Sequence, residues 1–189
     1  APLRTSYRDL FIRHAGIDPL ESGLAGIQAR AAALVPGGVP AALAAGLGER
    51  RTAWLDLLLV QAVEPALRDQ ALVVVEQYPA AQAALARLHP ADARVAERFE
   101  IYLDGVELAN GYHELAEAGE QRRRFAADRS ERRALGLPDV EPDEWLLAAL
   151  ESGLPDCCGV ALGFDRLLMA CLGLDDIAAV VAFSAPEGD

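Results

Sequence analysis

Arg98-Phe-Glu-Ile-Tyr-Leu-Asp-Gly105-Val-Glu-Leu-Ala-Asn-Gly-Tyr-His-Glu-Leu115 is the stretch on which the fold turns. Phe99, Ile101 and Leu103 alternate with Glu100 and Tyr102, and after Asp104-Gly105 the residues Val106 and Leu108 alternate with Glu107. Asp-Gly between two alternating runs is a strong hairpin signal, because both central residues of the favoured tight turn need positive φ. A two-residue turn sets Leu103 opposite Val106, Tyr102 opposite Glu107 and Glu100 opposite Ala109. Strict alternation then places Glu100, Tyr102, Glu107 and Ala109 on one face, with Phe99, Ile101, Leu103, Val106 and Leu108 on the other. Glu100 and Glu107 become diagonal neighbours, with Cα atoms roughly 7–8 Å apart. Two carboxylates so spaced suit Mg2+, which takes one or two carboxylates together with substrate phosphates; a plain solvated sheet face is the competing reading. The Asn110-Gly111 pair reads as a further turn, putting Asn110, Tyr112 and Glu114 at the mouth of that face.

Working outward, Ala71 to Val75 is a β-branched run that suits a buried strand. Residues 5–15, 21–34 and 54–67 read as helices, the last ended by Pro65. Residues 36–48 read as a loop with a short helix, and residues 79–88 likewise. On the other side, a long polar helix is expected over 114–135 and a second helix over 142–151. A small-residue strand is expected at 157–162, a helix at 164–172 and a last strand at 177–183. Separated helices and hairpins make this an α+β chain, an antiparallel sheet flanked by helices. Residues 1–70 are its helical segment and 71–189 carry the sheet.

The stretch Gly159-Val-Ala-Leu-Gly163-Phe-Asp-Arg166 runs a small-residue strand through glycine into a helix. Gly163 there allows positive φ or a close backbone approach. Arg166 in the first turn can fork onto a phosphate.

The bulk numbers bound the function classes. The chain has 189 residues, a net charge of −12 and 17 basic residues, all of them arginine. Such acidity argues against generic attraction to nucleic acid. The local cluster Arg122, Arg123, Arg124, Arg129, Arg132 and Arg133 reads as a solvated helix face. No apolar run reaches the ~18 residues that span a bilayer. No secretory leader opens the chain, and a cytoplasmic setting is expected. Its opening on Ala1 suggests an excised stretch. Cys157, Cys158 and Cys171 have no disulfide or zinc spacing and read as small buried apolar residues.

Two segments together carry a resemblance. Arg98 to Leu115 resembles the lysyl-tRNA-synthetase pattern RFE…GxEIxNGxxEL, and Gly159 to Arg166 is similar to motif 3 of class II aminoacyl-tRNA synthetases. Tyr78 to Ala86, Gly153-Leu-Pro-Asp-Cys and Ala182-Phe-Ser184 resemble the elongation factor P–lysine ligase branch of that family. The tRNA-charging enzymes usually carry Gly where Ala109 stands. The resemblance implies ATP and Mg2+ as cofactors, with Glu100 and Glu107 holding the metal on ATP, and Gly163 and Arg166 forming the phosphate grip. It also implies lysine or β-lysine as substrate, with Asn110, Tyr112 and Glu114 contacting the amino acid and Glu114 pairing with its side-chain ammonium. Gln82 and His113 match family positions without an assigned role. Elongation factor P is the implied acceptor, tRNA the less favoured one, and a homodimer is compatible with a complete protein. Motifs 1 and 2 are not found in this sequence, so the expectation is that these 189 residues alone make no adenylate. A tRNA-charging fragment and a silent regulatory paralogue are the rival readings.

Overall fold

The structure, a computed structural model, describes residues 1–68 and 70–183. Its centre is a six-stranded sheet of order β1-β2-β4-β5-β6, with β3 paired to β4. The strands are β1 (Leu3–Ser6), β2 (Leu72–Pro79), β3 (Leu88–His89), β4 (Asp92–Leu103), β5 (Val106–His113) and β6 (Cys158–Leu162). The sheet is mixed rather than purely antiparallel, because β1 runs parallel to β2. The expected helix over 5–15 therefore begins only after a strand. Ser6 ends that strand as a helix N-cap, its Oγ accepting from the Asp9 amide at 3.0 Å. A capped turn, α1 (Tyr7–Leu10), and a π-helical turn (Phe11–Ala15) follow, closed by Gly16 at φ 66°.

Three further helices complete the N-terminal unit: α2 (Leu24–Leu34), α3 (Ala41–Leu47) and α4 (Arg51–Leu58). From α4 the chain winds through a π turn (Leu59–Val63) and a 3-10 turn (Glu64–Leu67), with Pro65 breaking the regular helix there. Residues four apart on α2 and α4 present one apolar face: Ile27 and Ala31 on α2, and Trp54 and Leu58 on α4, are buried. They form one core with Tyr7, Phe11, Val73 and Val75. The helices thus cover one face of the sheet at its β1–β2 end and leave the β5–β6 end of that face open.

The hairpin turn is as the Asp-Gly signal predicts, with Asp104 at φ 47° and Gly105 at φ 77°. Its tip docks on the end of the helical unit. A Cβ on Gly105 would stand 2.7 Å from Arg68 Cγ and 3.1 Å from the Glu64 carbonyl oxygen, so only glycine fits.

Two bulges reset the alternation. In β5 the register shifts between Ile101 and Tyr102, so that Tyr102 faces Glu107 while Glu100 faces Asn110 and Ile101 faces Ala109. The expected pairing of Glu100 with Ala109 is therefore corrected: Leu108 is the extra residue, and Asn110 takes the place of Ala109 beside the carboxylates. Between β2 and β4 the register shifts between Glu76 and Tyr78, where Gln77, at φ 59°, stands against two β4 residues, Glu97 and Arg98. That bulge turns Tyr78 onto the face of Glu100.

Asn110-Gly111 is not a turn, since β5 runs through it to His113. Gly111 is required by packing: a Cβ there would lie 2.3 Å from the Phe99 ring and 2.8 Å from the Gly159 carbonyl oxygen. Beyond β5 come α5 (Ala118–Ala134) and α6 (Glu144–Glu151), then β6 and α7 (Phe164–Leu172). The expected strand over 177–183 is instead a 3-10 turn (Ile177–Ala179), capped by the Asp176 carboxylate on the Ala178 amide. Ser184, the end of the Ala182-Phe-Ser184 stretch, lies outside the described residues. No helix among the described residues is long and apolar enough to cross a membrane.

The arginine cluster of α5 is neither a free patch nor a bare solvated face. Arg122 pairs with Glu144, Arg123 and Arg124 with Glu120, and Arg129 and Arg133 with Asp139. Arg132 donates to the Pro138 carbonyl. The contacts of Arg122, Arg129, Arg132 and Arg133 lash the 138–144 segment to the helix. Cys158 and Cys171 are exposed and Cys157 is half-buried, contrary to the expectation of buried thiols; all three are free. They sit on β6, α7 and the loop before β6.

Candidate active site

The bulges collect Arg98, Glu100, Tyr102, Glu107, Asn110 and Tyr112 on one face of the hairpin. Ala161 and Gly159 of β6 extend that face, opposite Asn110 and Tyr112. It is the face that the helical unit covers at the far end.

Glu100 is the buried carboxylate of this face, at 5 % exposure. Its Oε1 accepts from Arg98 Nη2 at 2.5 Å. Its Oε2 accepts from Tyr102 at 2.6 Å and also from the Tyr78 hydroxyl. Arg98 lies 4.5 Å over the Tyr78 ring and donates through Nη1 to the Gln82 carbonyl at 2.6 Å. Burial works against the Arg98 charge, but the field and hydrogen bond of Glu100 outweigh it and hold the guanidinium protonated. Burial, followed by the charge of Glu100, pushes the Tyr102 hydroxyl well above its usual range. Beyond Tyr102, at 3.4 Å, lies Glu64, a third carboxylate, raised by burial above the ordinary range. Nothing in the local sequence marked Glu64, which stands alone before Pro65. Arg98 and Tyr78 were visible within the quoted stretches, but only the register shows what they hold.

Glu107 and Arg166 form the open part. Arg166 Nη1 donates to the Glu107 backbone carbonyl at 2.8 Å and stands 3.7 Å from its Oε2. Asn110 Nδ2 reaches the other oxygen of Glu107 at 3.4 Å. Both line an open cleft of about 360 Å³, with Ala109, Ala161 and Gly163 also in its wall. Gly163 has φ −73° and caps α7, and its amide donates to the Leu108 carbonyl at 2.8 Å. An added Cβ would meet that oxygen at 3.5 Å, an ordinary contact, so neither positive φ nor a forced close approach accounts for this glycine.

Glu114 lies farther along the same face. Its amide donates to the Cys157 carbonyl at 3.0 Å, and its backbone bridges to Ala86. Its carboxylate lies over Gly159, where a Cβ would come within 2.2 Å of Oε1. Among the described residues this carboxylate has no hydrogen-bond or ion-pair partner. A half-buried carboxylate without a cation suits an ammonium group.

The cleft thus unites Glu107, Asn110, Gly163 and Arg166. Tyr112 and Glu114 lie beside it, and Glu100 is sealed beneath. Among the described residues no three His, Cys, Asp or Glu side chains are placed to hold a metal ion. The donor set still fits Mg2+ bound largely through phosphate: Glu107 presents an open carboxylate, and Glu100 retains one free acceptor position on Oε1.

Residues 58–187 match the family described as tRNA synthetases class II (D, K and N). Among curated relatives, an elongation factor P–(R)-β-lysine ligase of Klebsiella pneumoniae subsp. pneumoniae is 48% identical over 179 residues, which cover 95% of this chain and 54% of the relative. The protein of that name from Edwardsiella ictaluri is also 48% identical, with the same coverage. That of Salmonella typhi is 45% identical, again over 95% of this chain and 54% of the relative. The chain spans about half the length of the curated relatives it matches.

Proposed function

We propose, from the premise that this chain belongs to the class II tRNA synthetase family of the D, K and N kind, that it supplies the lysine and phosphate side of a site that activates lysine or β-lysine with ATP and hands it to a lysine of elongation factor P. The observation that carries the reading is the unpaired Glu114 carboxylate on the same face as Glu107, Asn110 and Arg166. The amino acid would lie along β5 with its side-chain ammonium at Glu114, Tyr112 beside it and its other end at Asn110.

In the first step a carboxylate oxygen of the amino acid attacks the α-phosphorus of ATP. The bond to the β-phosphate breaks and pyrophosphate leaves. In the second, the ε-amine of the acceptor lysine attacks the carbonyl carbon, an amide forms and AMP leaves with the bonding pair. Nothing in this face acts as a covalent nucleophile, so its contribution is positioning and charge neutralisation. Arg166 can leave the Glu107 carbonyl for a phosphate, a stronger charge-assisted partner. Glu107, with Glu100 behind it, would hold Mg2+, which when bound neutralises phosphate charge.

The acceptor is taken from the names of the relatives, and the acidic balance together with the internally engaged α5 arginines fits a protein acceptor better than tRNA. The test is a titration of the chain with lysine and (R)-β-lysine, followed by amide chemical shifts. Glu114→Gln should weaken either by about 3 kcal/mol or more, since it leaves an ammonium without its counter-ion, while Mg2+–ATP binding is unchanged. Equal weakening of both ligands, or of neither, would refute the ammonium role.

A further inference from the structure

His113 takes no part in the reading above, yet it stands at the centre of a closed side-chain ring on the opposite face of the sheet. Its Nδ1 lies 3.0 Å from Glu97 Oε2 and its Nε2 lies 2.5 Å from Asp156 Oδ1. Arg87 closes the ring, pairing through Nε with the same Glu97 oxygen and through Nη1 with the same Asp156 oxygen at 3.2 Å. The four members come from the segment before β3, from β4, from the end of β5 and from the loop before β6.

We propose that His113 is a positioning residue for Glu114, the ring setting from behind where the Glu114 carboxylate stands. The proposal rests on the ammonium role of Glu114. The backbone gives the route. The His113 carbonyl accepts from the Arg87 amide at 2.9 Å, and the Arg87 carbonyl accepts from the Glu97 amide at 2.9 Å. Glu114 follows His113 directly, and its amide bonds the carbonyl of Cys157, the neighbour of Asp156. Next along, the Leu115 amide bonds the Leu85 carbonyl at 2.9 Å. Fixing His113 to Glu97 on one side and to Asp156 on the other therefore fixes both strands that carry Glu114 and its Gly159 floor. Alternation directs the two neighbouring side chains to opposite faces, so the ring holds the carboxylate without touching it.

The ring adds little to global stability. Asp156 is 77% exposed and Arg87 39% exposed, and exposed pairs are worth little. Its effect lies in placement. A carboxylate without a partner of its own has only its backbone and the floor beneath to fix it, so freedom at residues 113 and 156 passes directly to it.

The experiment is hydrogen exchange and ligand titration on the 189-residue chain carrying His113→Leu or, separately, Asp156→Asn. The second change is at an exposed position and keeps the side-chain shape. In both variants the Glu114 and Leu115 amides should exchange faster, while the β2–β4 amides keep their protection. Lysine affinity should fall roughly three- to tenfold with Mg2+–ATP affinity unchanged, and should fall no further when His113→Leu is added to Glu114→Gln. Unaltered Glu114 exchange in both variants, or full additivity with Glu114→Gln, overturns the proposal. A wild-type chain that takes up no lysine sinks the ammonium reading alone, and the exchange result then decides whether the ring positions Glu114.

Discussion

Removing the charge of Arg98 tests the buried network most directly. Arg98→Met keeps an aliphatic stem over the Tyr78 ring and deletes the guanidinium that pairs with Glu100 at 2.5 Å and serves the Gln82 carbonyl. Glu100 is 5 % exposed, so water cannot replace the lost partner. Breaking a buried ion pair from one side costs about 3–5 kcal/mol. The two surviving tyrosine hydroxyls reduce the loss somewhat, so the expected destabilisation is ~3 kcal/mol at pH 7. Urea unfolding followed by tryptophan fluorescence reads it, since Trp54 is buried in the helical unit beside the network. The double variant Arg98→Met/Glu100→Gln should recover most of the loss, because a glutamine carbonyl still accepts from the tyrosines; a coupling of ~2 kcal/mol is expected. A loss under about 1 kcal/mol at pH 7 would refute the network as the anchor of Glu100.

Other expectations follow from single contacts. Gly159→Ala places a methyl 2.2 Å from Glu114 Oε1, so the carboxylate must swing away; lysine binding should be lost while urea unfolding changes little, and intact affinity would remove Glu114 from the site. Arg166→Ala should weaken Mg2+–ATP binding by roughly 1.5–3 kcal/mol, measured by calorimetry, against under about 1 kcal/mol for a mere surface pair. The 189 residues alone should give no lysine-dependent ATP–pyrophosphate exchange above background, on the expectation that motif 2, the grip on the α-phosphate, is not among them. The Arg94 hydrogen bond holds Asp92 down to about 2, and Arg129 and Arg133 depress Asp139 as well, but both carboxylates lie at the surface, so they should add only a small loss of stability, confined to low pH. A folded value below the unfolded one stabilises above about 4 and is lost as pH falls through the folded value. Burial raises Asp56 and Glu64 instead, so their protonation relieves a strain and partly offsets that loss. A melting temperature that declines steadily from pH 7 to pH 5 would contradict this balance.

How much of this was legible follows from the kind of signal each feature leaves. The hairpin was readable because Asp104-Gly105 meets a local backbone demand, two successive positive φ angles. The site built on it was readable only in part, because strict alternation assumes an unbroken ladder. The bulges at Gln77 and Leu108 leave no comparable mark, since neither is a glycine. Yet they decide the chemistry: without them Tyr78 would turn from Glu100, and Ala109 would stand where Asn110 stands. Gly111 shows the reverse error. Its glycine was legible and its cause was not, because a ring stacked from a neighbouring strand leaves the same imprint as a turn. The 177–183 run failed for a third reason: a β-branched segment becomes a strand only when a sheet edge accepts it, and Asp176 caps a helical turn there first. The α5 arginines were legible as a cluster, but their partners Asp139 and Glu144 lie in the following segment, and only the fold brings them together. Local demands are thus written in residue type, whereas the placing of Glu107, Asn110, Tyr112 and Glu114 on one face depends on where a ladder slips by one residue. Changing that slip, by a deletion at Leu108, should cost the site while sparing the hairpin turn.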